Sequence, residues 1–313
     1  MSVRDLGWNR VERRPRAPLR LLGTLVFLAV ATVGTGALVY ALALPFAFES
    51  VGTAGTAVVT AVGAVFAVFA SAVLLDRRPL ADYGFHLGRR WGADLAVGLA
   101  LGGVLLTLVF LVALAAGWVA VVGTFRAPGA FLPALAGNVL VFCLVGLYEE
   151  LLVRGYLLRN LAEGLAGYVS EQWAVGASVL FSSAVFGALH LGNPNATLVS
   201  ALGITLAGVM LAAGFVFTGE LALPIGLHVT WNVFQGLVFG FPVSGLTVGT
   251  TLLATREQGP DLLTGGSFGP EAGLLGVLAT LVGLVSTLWY VRRAEGAVRI
   301  HDRVTTPRLR WWD

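Results

Sequence analysis

Eight apolar runs divide this chain, each near the ~20 residues that a helix needs to cross the hydrocarbon core of a bilayer. They fall near 20–44, 51–75, 93–122, 131–160, 173–191, 196–217, 221–240 and 271–291. Two short turn-rich connections, GNPNA at 192–196 and TGEL at 218–221, split what would otherwise be one overlong run. The expectation is an all-α fold: a polytopic membrane protein of about eight transmembrane helices. Composition agrees, since the 313 residues are 57% hydrophobic and 12% charged with a mean hydropathy of +0.85, against ~45–50% apolar and ~25% charged in soluble domains. The first run, from Leu21 to Phe48, is longer than the ~7–15 apolar residues of a cleavable signal. It is read as a first transmembrane helix.

Every basic side chain is an arginine, and most flank the apolar runs. Arg4, Arg10, Arg13, Arg14, Arg16 and Arg20 precede the first; Arg77, Arg78, Arg89 and Arg90 lie between the second and third; Arg154 and Arg159 lie on the fourth; Arg292, Arg293, Arg299, Arg303, Arg308 and Arg310 follow the last. With only Arg126 and Arg256 on the alternate side, the split is 18 against 2, which puts both termini in the cytoplasm. That pattern marks topology, so the net charge of +3 implies no nucleic-acid partner. The domains expected are a basic cytoplasmic segment at 1–20, a transmembrane domain at 21–291 and a basic cytoplasmic tail at 292–313. The tail reads as solvated or in contact with lipid headgroups, Trp311 and Trp312 suiting the interface. Residues 241–269, rich in Gly, Thr and Ser, form one long external loop. Cys143, the single cysteine, is expected as a buried small hydrophobe.

Strongly polar residues inside the runs are few and lie in the second half. LYEELLVRGYLL, 147–158, carries Glu149, Glu150 and Arg154, at an insertion cost of ~8 kcal/mol for three ionisable groups facing lipid. They must face protein or water. Glu150 and Arg154, four apart, share a helix face and can pair, while Glu149 is turned ~100° away and left without a local partner. The fifth run holds Phe186 and His190, four apart, and the seventh His228 and Asn232, with Gln235 three residues on. A carboxylate and an imidazole reaching one water form a general base, and an imidazole with an amide can support an oxyanion. Two imidazoles and one carboxylate (Glu149, His190, His228) are equally a ligand set for catalytic zinc with a position open for water. Either arrangement hydrolyses a peptide bond. Ser182 and Ser183 sit in no nucleophile elbow and are read as packing residues.

These residues stand as Glu149-Glu150-Leu-Leu-Val-Arg154, Phe186-Gly-Ala-Leu-His190 and His228-Val-Thr-Trp-Asn232. In that form the chain resembles the CAAX prenyl protease and bacteriocin-processing (CPBP, or Abi) family of intramembrane proteases, whose motifs are EExxxR, FxxxH and HxxxN in that order. The resemblance covers roughly residues 130–245. It implies that Glu149 with His190 activates the attacking water, that Glu150 and Arg154 form a supporting pair, and that Phe186 packs beside the site. His228 and Asn232 would stabilise the oxyanion, or His228 would join His190 on a metal. The substrate implied is a membrane-associated or hydrophobic peptide or protein, reached through a cavity open laterally or toward the cytoplasm. Arg without Lys, with abundant Ala, Gly and Val, suggests a GC-rich prokaryote and its cytoplasmic membrane, where peptide maturation, immunity or membrane-protein turnover are the expected settings.

Two other readings use the same residues: a catalytically silent immunity or scaffold homologue, and a proton-coupled transporter relaying through Glu and His. The concentration of polar residues in one half, without an inverted repeat, weighs against transport. Depth poses its own constraint. His190 lies ~25 Å along its helix from Trp173 and His228 only ~10 Å from Leu221 at 1.5 Å per residue, so one site requires helices that tilt or start at different levels.

Overall fold

The computed structural model describes residues 7–43 and 52–310, so Arg4, Phe48, Trp311 and Trp312 lie outside the described residues. Among these, seven helices are long and apolar enough to cross a membrane. In chain order they are α1 (Ala17–Ala43), α2 (Gly52–Leu74), α3 (Arg89–Ala115), the continuous α4 (Phe131–Glu150), π-helical Leu151–Leu158 and α5 (Arg159–Ala166), then α6 (Glu171–Leu189), α7 (Leu198–Thr218) and, after the shorter α8 (Ala222–Asn232), α9 (Leu274–Glu295). Their outer faces carry exposed Leu, Val and Phe, among them Leu25, Val30, Phe66, Leu180 and Val285. Such apolar belts are the surface that a bilayer covers.

The eighth expected segment, 221–240, is helical but shorter. α8 has 11 residues and continues as a π-helix over the 6 residues Val233–Val238, together ~25 Å at ~1.5 Å per residue, under the ~30 Å of a bilayer core. It carries the chain through the bundle without meeting lipid, because Leu221, Leu223, Leu227 and Trp231 are buried among its neighbours. Close approach of backbones encloses it. A Cβ on Gly98 of α3 would lie 2.2 Å from the Leu223 carbonyl, and one on Gly226 of α8 2.5 Å from that of Leu95. Only glycine permits two helices to meet this tightly.

Two differences from the sequence reading concern secondary structure. The third helix ends at Ala115, and Gly117 takes φ +72°, so Val119–Arg126 turns away as a strand paired antiparallel with Thr251–Glu257. The apolar stretch WVAVV is rich in β-branched residues, and a partner strand decides its conformation. The long loop 241–269 is accordingly structured: Gly245 N donates to Phe268 O at 2.7 Å within it, and Phe241 N donates to Gln235 O at 2.9 Å where it leaves the helical segment.

At the opposite end the two terminal segments meet. A small hairpin pairs Trp8–Asn9 with Arg14–Pro15, and the Arg14 guanidinium reaches Glu163 at 3.2 Å. Glu163 also takes Arg20 (3.3 Å), Arg78 (2.6 Å) and Arg159 (3.4 Å), while Asp82 holds Arg159 at 3.1 Å. Arg14, Arg20, Arg78 and Arg159 are all buried, so these arginines are structural ion-pair partners. The tail is not a solvated end: Val304 and Leu309 are buried, His301 N donates to Val216 O at 2.9 Å, Arg308 N donates to Asp82 at 3.2 Å, and Arg303 pairs with Glu220. Cys143 is exposed on α4, which an apolar thiol tolerates when its surroundings are lipid rather than water.

Candidate active site

All three motifs converge between α4, α6 and α8. The helix that carries Glu149 and Glu150 widens directly after them into the π-helical Leu151–Leu158, and α8 does the same directly after Asn232. Single π turns inside α-helices are rare and cluster at functional sites, since they re-aim side chains without breaking the helix. His190 closes α6 at the start of a 3-10 turn, His190–Gly192, whereas His228 lies in the body of α8. The depth mismatch is thus met by different positions along their helices, the end of one against the middle of another.

Glu150 is the centre of the polar cluster. Its Oε1 accepts from Arg154 Nη1 at 2.8 Å and from His228 Nδ1 at 2.8 Å, and both Glu150 and Arg154 are fully buried. The expected i,i+4 pair therefore exists, and it also holds an imidazole. Arg154 is fixed further by donating to Gly208 O at 3.1 Å and by lying over the Phe186 ring, 4.5 Å from its centroid. Glu149 stands apart as expected from its angle on the helix. Tyr148 donates to its Oε1 at 3.3 Å, and its Oε2 lies 3.7 Å from His228 Nε2, beyond direct hydrogen-bond range but within the span of a bridging water. That Oε2 takes no hydrogen bond from the protein, although the Glu149 side chain is 19% exposed where that of Glu150 is 0%.

The His190 ring is held by a main-chain carbonyl. Its Nδ1 meets Phe186 O at 2.7 Å; a carbonyl only accepts, so Nδ1 carries the hydrogen and Nε2 presents a lone pair. Phe186 packs edge-on to both histidines, 4.8 Å from His190 and 6.1 Å from His228 between ring centroids. His190, His228 and Asn232 line one small cavity of about 40 Å³. Of the two histidines it is His228 whose contact with Glu149 the geometry provides directly. Ser182 and Ser183 are buried in α6, Ser183 against Gly208, where a Cβ would come within 2.9 Å, a packing role as expected.

Zinc would need three converging donors. Among the described residues no three of His, Cys, Asp and Glu come together as a metal-binding group. Glu149, His190 and His228 form no such group: each histidine keeps Nε2 as its available nitrogen, Nδ1 being donated to Glu150 or to Phe186 O, but the three donors do not close on one point.

Two further polar residues line the same cavity: Ser244 and Glu271. Neither belongs to a motif. Glu271 sits in a 3-10 turn, Pro270–Ala272, directly before α9, three residues before the span that was expected to start at 271. Gln235, picked out by its spacing from Asn232, binds it from one side, Nε2 donating to Glu271 Oε2 at 2.6 Å.

A family model described as type II CAAX prenyl endopeptidase Rce1-like matches residues 131–234. No curated protein and no solved structure matches the chain. The matched segment runs from the start of α4 to just past Asn232 and contains every motif residue named above. The match spans about a third of this integral membrane chain and makes that segment similar to the type II CAAX prenyl endopeptidases.

Proposed function

We propose that the chain hydrolyses a peptide bond in a hydrophobic or membrane-associated peptide or protein, with Glu149 as general base. The observation that carries this is the position of Glu149: partly exposed, with an unbonded Oε2, 3.7 Å from an imidazole whose far nitrogen is locked to Glu150. A water between Glu149 and the histidines loses a proton to the carboxylate as its oxygen bonds to the scissile carbonyl carbon. His190 Nε2, an acceptor by its tautomer, orients that water. The Asn232 amide donates to the developing oxyanion, and His228, whose Nδ1–H goes to Glu150, joins it from Nε2 as the doubly protonated ring; such donors typically contribute ~3 kcal/mol each. Glu150 and Arg154 position His228 and touch no substrate. Because the candidate ligands do not converge, no step is routed through a metal.

Both termini face the cytoplasm in this reading, from the distribution of arginines, and the setting is a prokaryotic cytoplasmic membrane. The test is cleavage of a mixed library of hydrophobic-tailed peptides by purified wild type and Glu149→Gln in detergent. Products from wild type and none from the variant support the endopeptidase; equal cleavage by both removes Glu149 from the chemistry.

A further inference from the structure

Hydrolysis of an amide needs two proton transfers. Glu149 accounts for the one that activates water, and neither motif histidine is free to protonate the departing nitrogen. His228 gives Nδ1–H to Glu150 and Nε2–H to the oxyanion in the reading above, and His190 presents a lone pair. The carboxyl group that lines the cavity with both histidines and Asn232 is Glu271.

Its surroundings are built rather than incidental. Oε2 accepts from Gln235 Nε2 at 2.6 Å, and Oε1 accepts from Ser244 N at 3.2 Å and Ser244 Oγ at 3.3 Å. A carboxylate offers four lone-pair positions, so three are used and one on Oε2 remains for the cavity. Ser244 donates from a left-handed backbone, φ 47°, a strained conformation for a side chain bearing Cβ and one that clusters at functional sites. The turn that carries Glu271 is clamped from outside: a Cβ on Gly203 would lie 2.0 Å from Glu271 O, and one on Gly276 2.0 Å from Pro270 O.

We propose that Glu271 is a second carboxyl group of the reaction, a general acid that gives its proton to the amine leaving the cleaved bond. This rests on the endopeptidase reading above. The C–O bond forms as water loses a proton to Glu149. The C–N bond then breaks with its electron pair on nitrogen, and the Glu271 proton passes to that nitrogen. The amine departs neutral, Glu271 remains as carboxylate, and it is reprotonated from water as Glu149 releases its proton.

The electrostatics agree with the geometry. Among the described residues Glu271 makes no ion pair, and its contacts on α8's extension and on the Ser244 turn are neutral; the titratable groups across the cavity are His190 and His228. Burial without a counter-cation pushes the carboxyl up to about 7, against the opposing pull of its own backbone, Gln235 and Ser244. A general acid works best when it holds its proton near the working pH.

The experiment compares wild type, Glu149→Gln and Glu271→Gln on a peptide that the wild type cleaves from the hydrophobic-tailed library, and on the same sequence with an ester at the scissile bond. An ester's leaving alkoxide needs less protonation than an amine. Glu271→Gln is expected to lower kcat on the peptide by ~10²–10³-fold, to slow the ester less than about tenfold, and to leave KM within about threefold. Wild-type kcat on the peptide should fall about tenfold per pH unit above ~7, a limb absent in Glu271→Gln. Ser244→Ala removes a donor to the ionised form and should move that limb to higher pH, a readout that survives if the Gln variant fails to fold. Equal loss on peptide and ester, or an unchanged alkaline limb in Glu271→Gln, overturns the proposal while leaving Glu149's role intact. Cleavage of no peptide in that library by wild type overturns it together with the endopeptidase reading.

Discussion

Glu150 and His228, 78 positions apart, meet at 2.8 Å through one carboxylate oxygen that also holds Arg154 at 2.8 Å. The arginine is fully buried, and Glu150 is its only ion-pair partner among the described residues. Glu150→Ala leaves a guanidinium charge unpaired inside the bundle, a loss of ~3–5 kcal/mol. The expected outcome is a lower unfolding midpoint in detergent together with lost activity. Removing both charges in Glu150→Ala/Arg154→Met should recover most of the stability and none of the activity, since His228 is still unanchored. A double variant no more stable than Glu150→Ala would show that the pair is not what makes the buried arginine tolerable.

Glu149 makes no ion pair with an arginine among the described residues and is partly exposed, so Glu149→Gln preserves shape and hydrogen-bonding capacity. Its unfolding midpoint should match wild type, while cleavage falls by at least ~10²-fold, the usual contribution of a general base. Equal destabilisation of Glu149→Gln and Glu150→Ala would contradict the division of labour between the adjacent carboxylates.

How the site is assembled was partly legible in the chain. Spacing alone places Glu150 and Arg154 on one face and turns Glu149 away, because those relations are local to a helix. What spacing cannot show is which histidine meets which carboxylate: the contact of His228 with Glu150 spans two intervening helices. Glu271 left no periodic trace, being a single acid in a glycine-rich turn whose position depends on Gly203 of another helix. The tail misled for a related reason. Val304 and Leu309 are isolated apolar residues among arginines, and only their burial distinguishes a packed segment from a solvated one.

That packing makes the tail a stability element. Arg303 pairs with Glu220, Thr305 Oγ1 donates to Glu171 at 2.8 Å, and Arg310 N donates to Arg77 O at 3.1 Å. Val304→Asp would place an unpaired charge in a site that is 0% exposed, at a cost of several kcal/mol. The expected result is a reduced unfolding midpoint and rapid proteolysis beyond Glu295, with cleavage chemistry retained in the molecules that remain folded. Unchanged protease resistance would argue that the tail is held only at its ends.

The arrangement of donors makes metal dependence testable. With His228 Nδ1 bound to Glu150 and His190 Nδ1 to Phe186 O, each ring has one nitrogen left, and no third donor completes the set among the described residues. Prolonged treatment with a strong chelator should therefore leave the cleavage rate of purified protein unchanged, and metal analysis before treatment should find less than one tightly held ion per chain. Loss of activity on chelation, restored by zinc, would require the cluster to rearrange around an ion.

Glu271 gives stability a pH dependence whose sign follows from its environment. Its carboxyl is raised from 4.5 to about 7 by burial, so between these values the folded chain holds a proton that the unfolded chain has released. Stability from this group is fully present below ~4.5 and is lost as pH rises through ~7, a total of about 3 kcal/mol at ~1.4 kcal/mol per unit. Wild type should consequently lose more stability between pH 5 and 8 than Glu271→Gln does, after the other titrating groups cancel in the comparison. The measurement is the unfolding midpoint of both proteins across that range in one detergent. Parallel curves would mean that Glu271 is as ionised in the fold as in the unfolded chain, and a carboxylate in that state has no proton for a leaving amine at neutral pH.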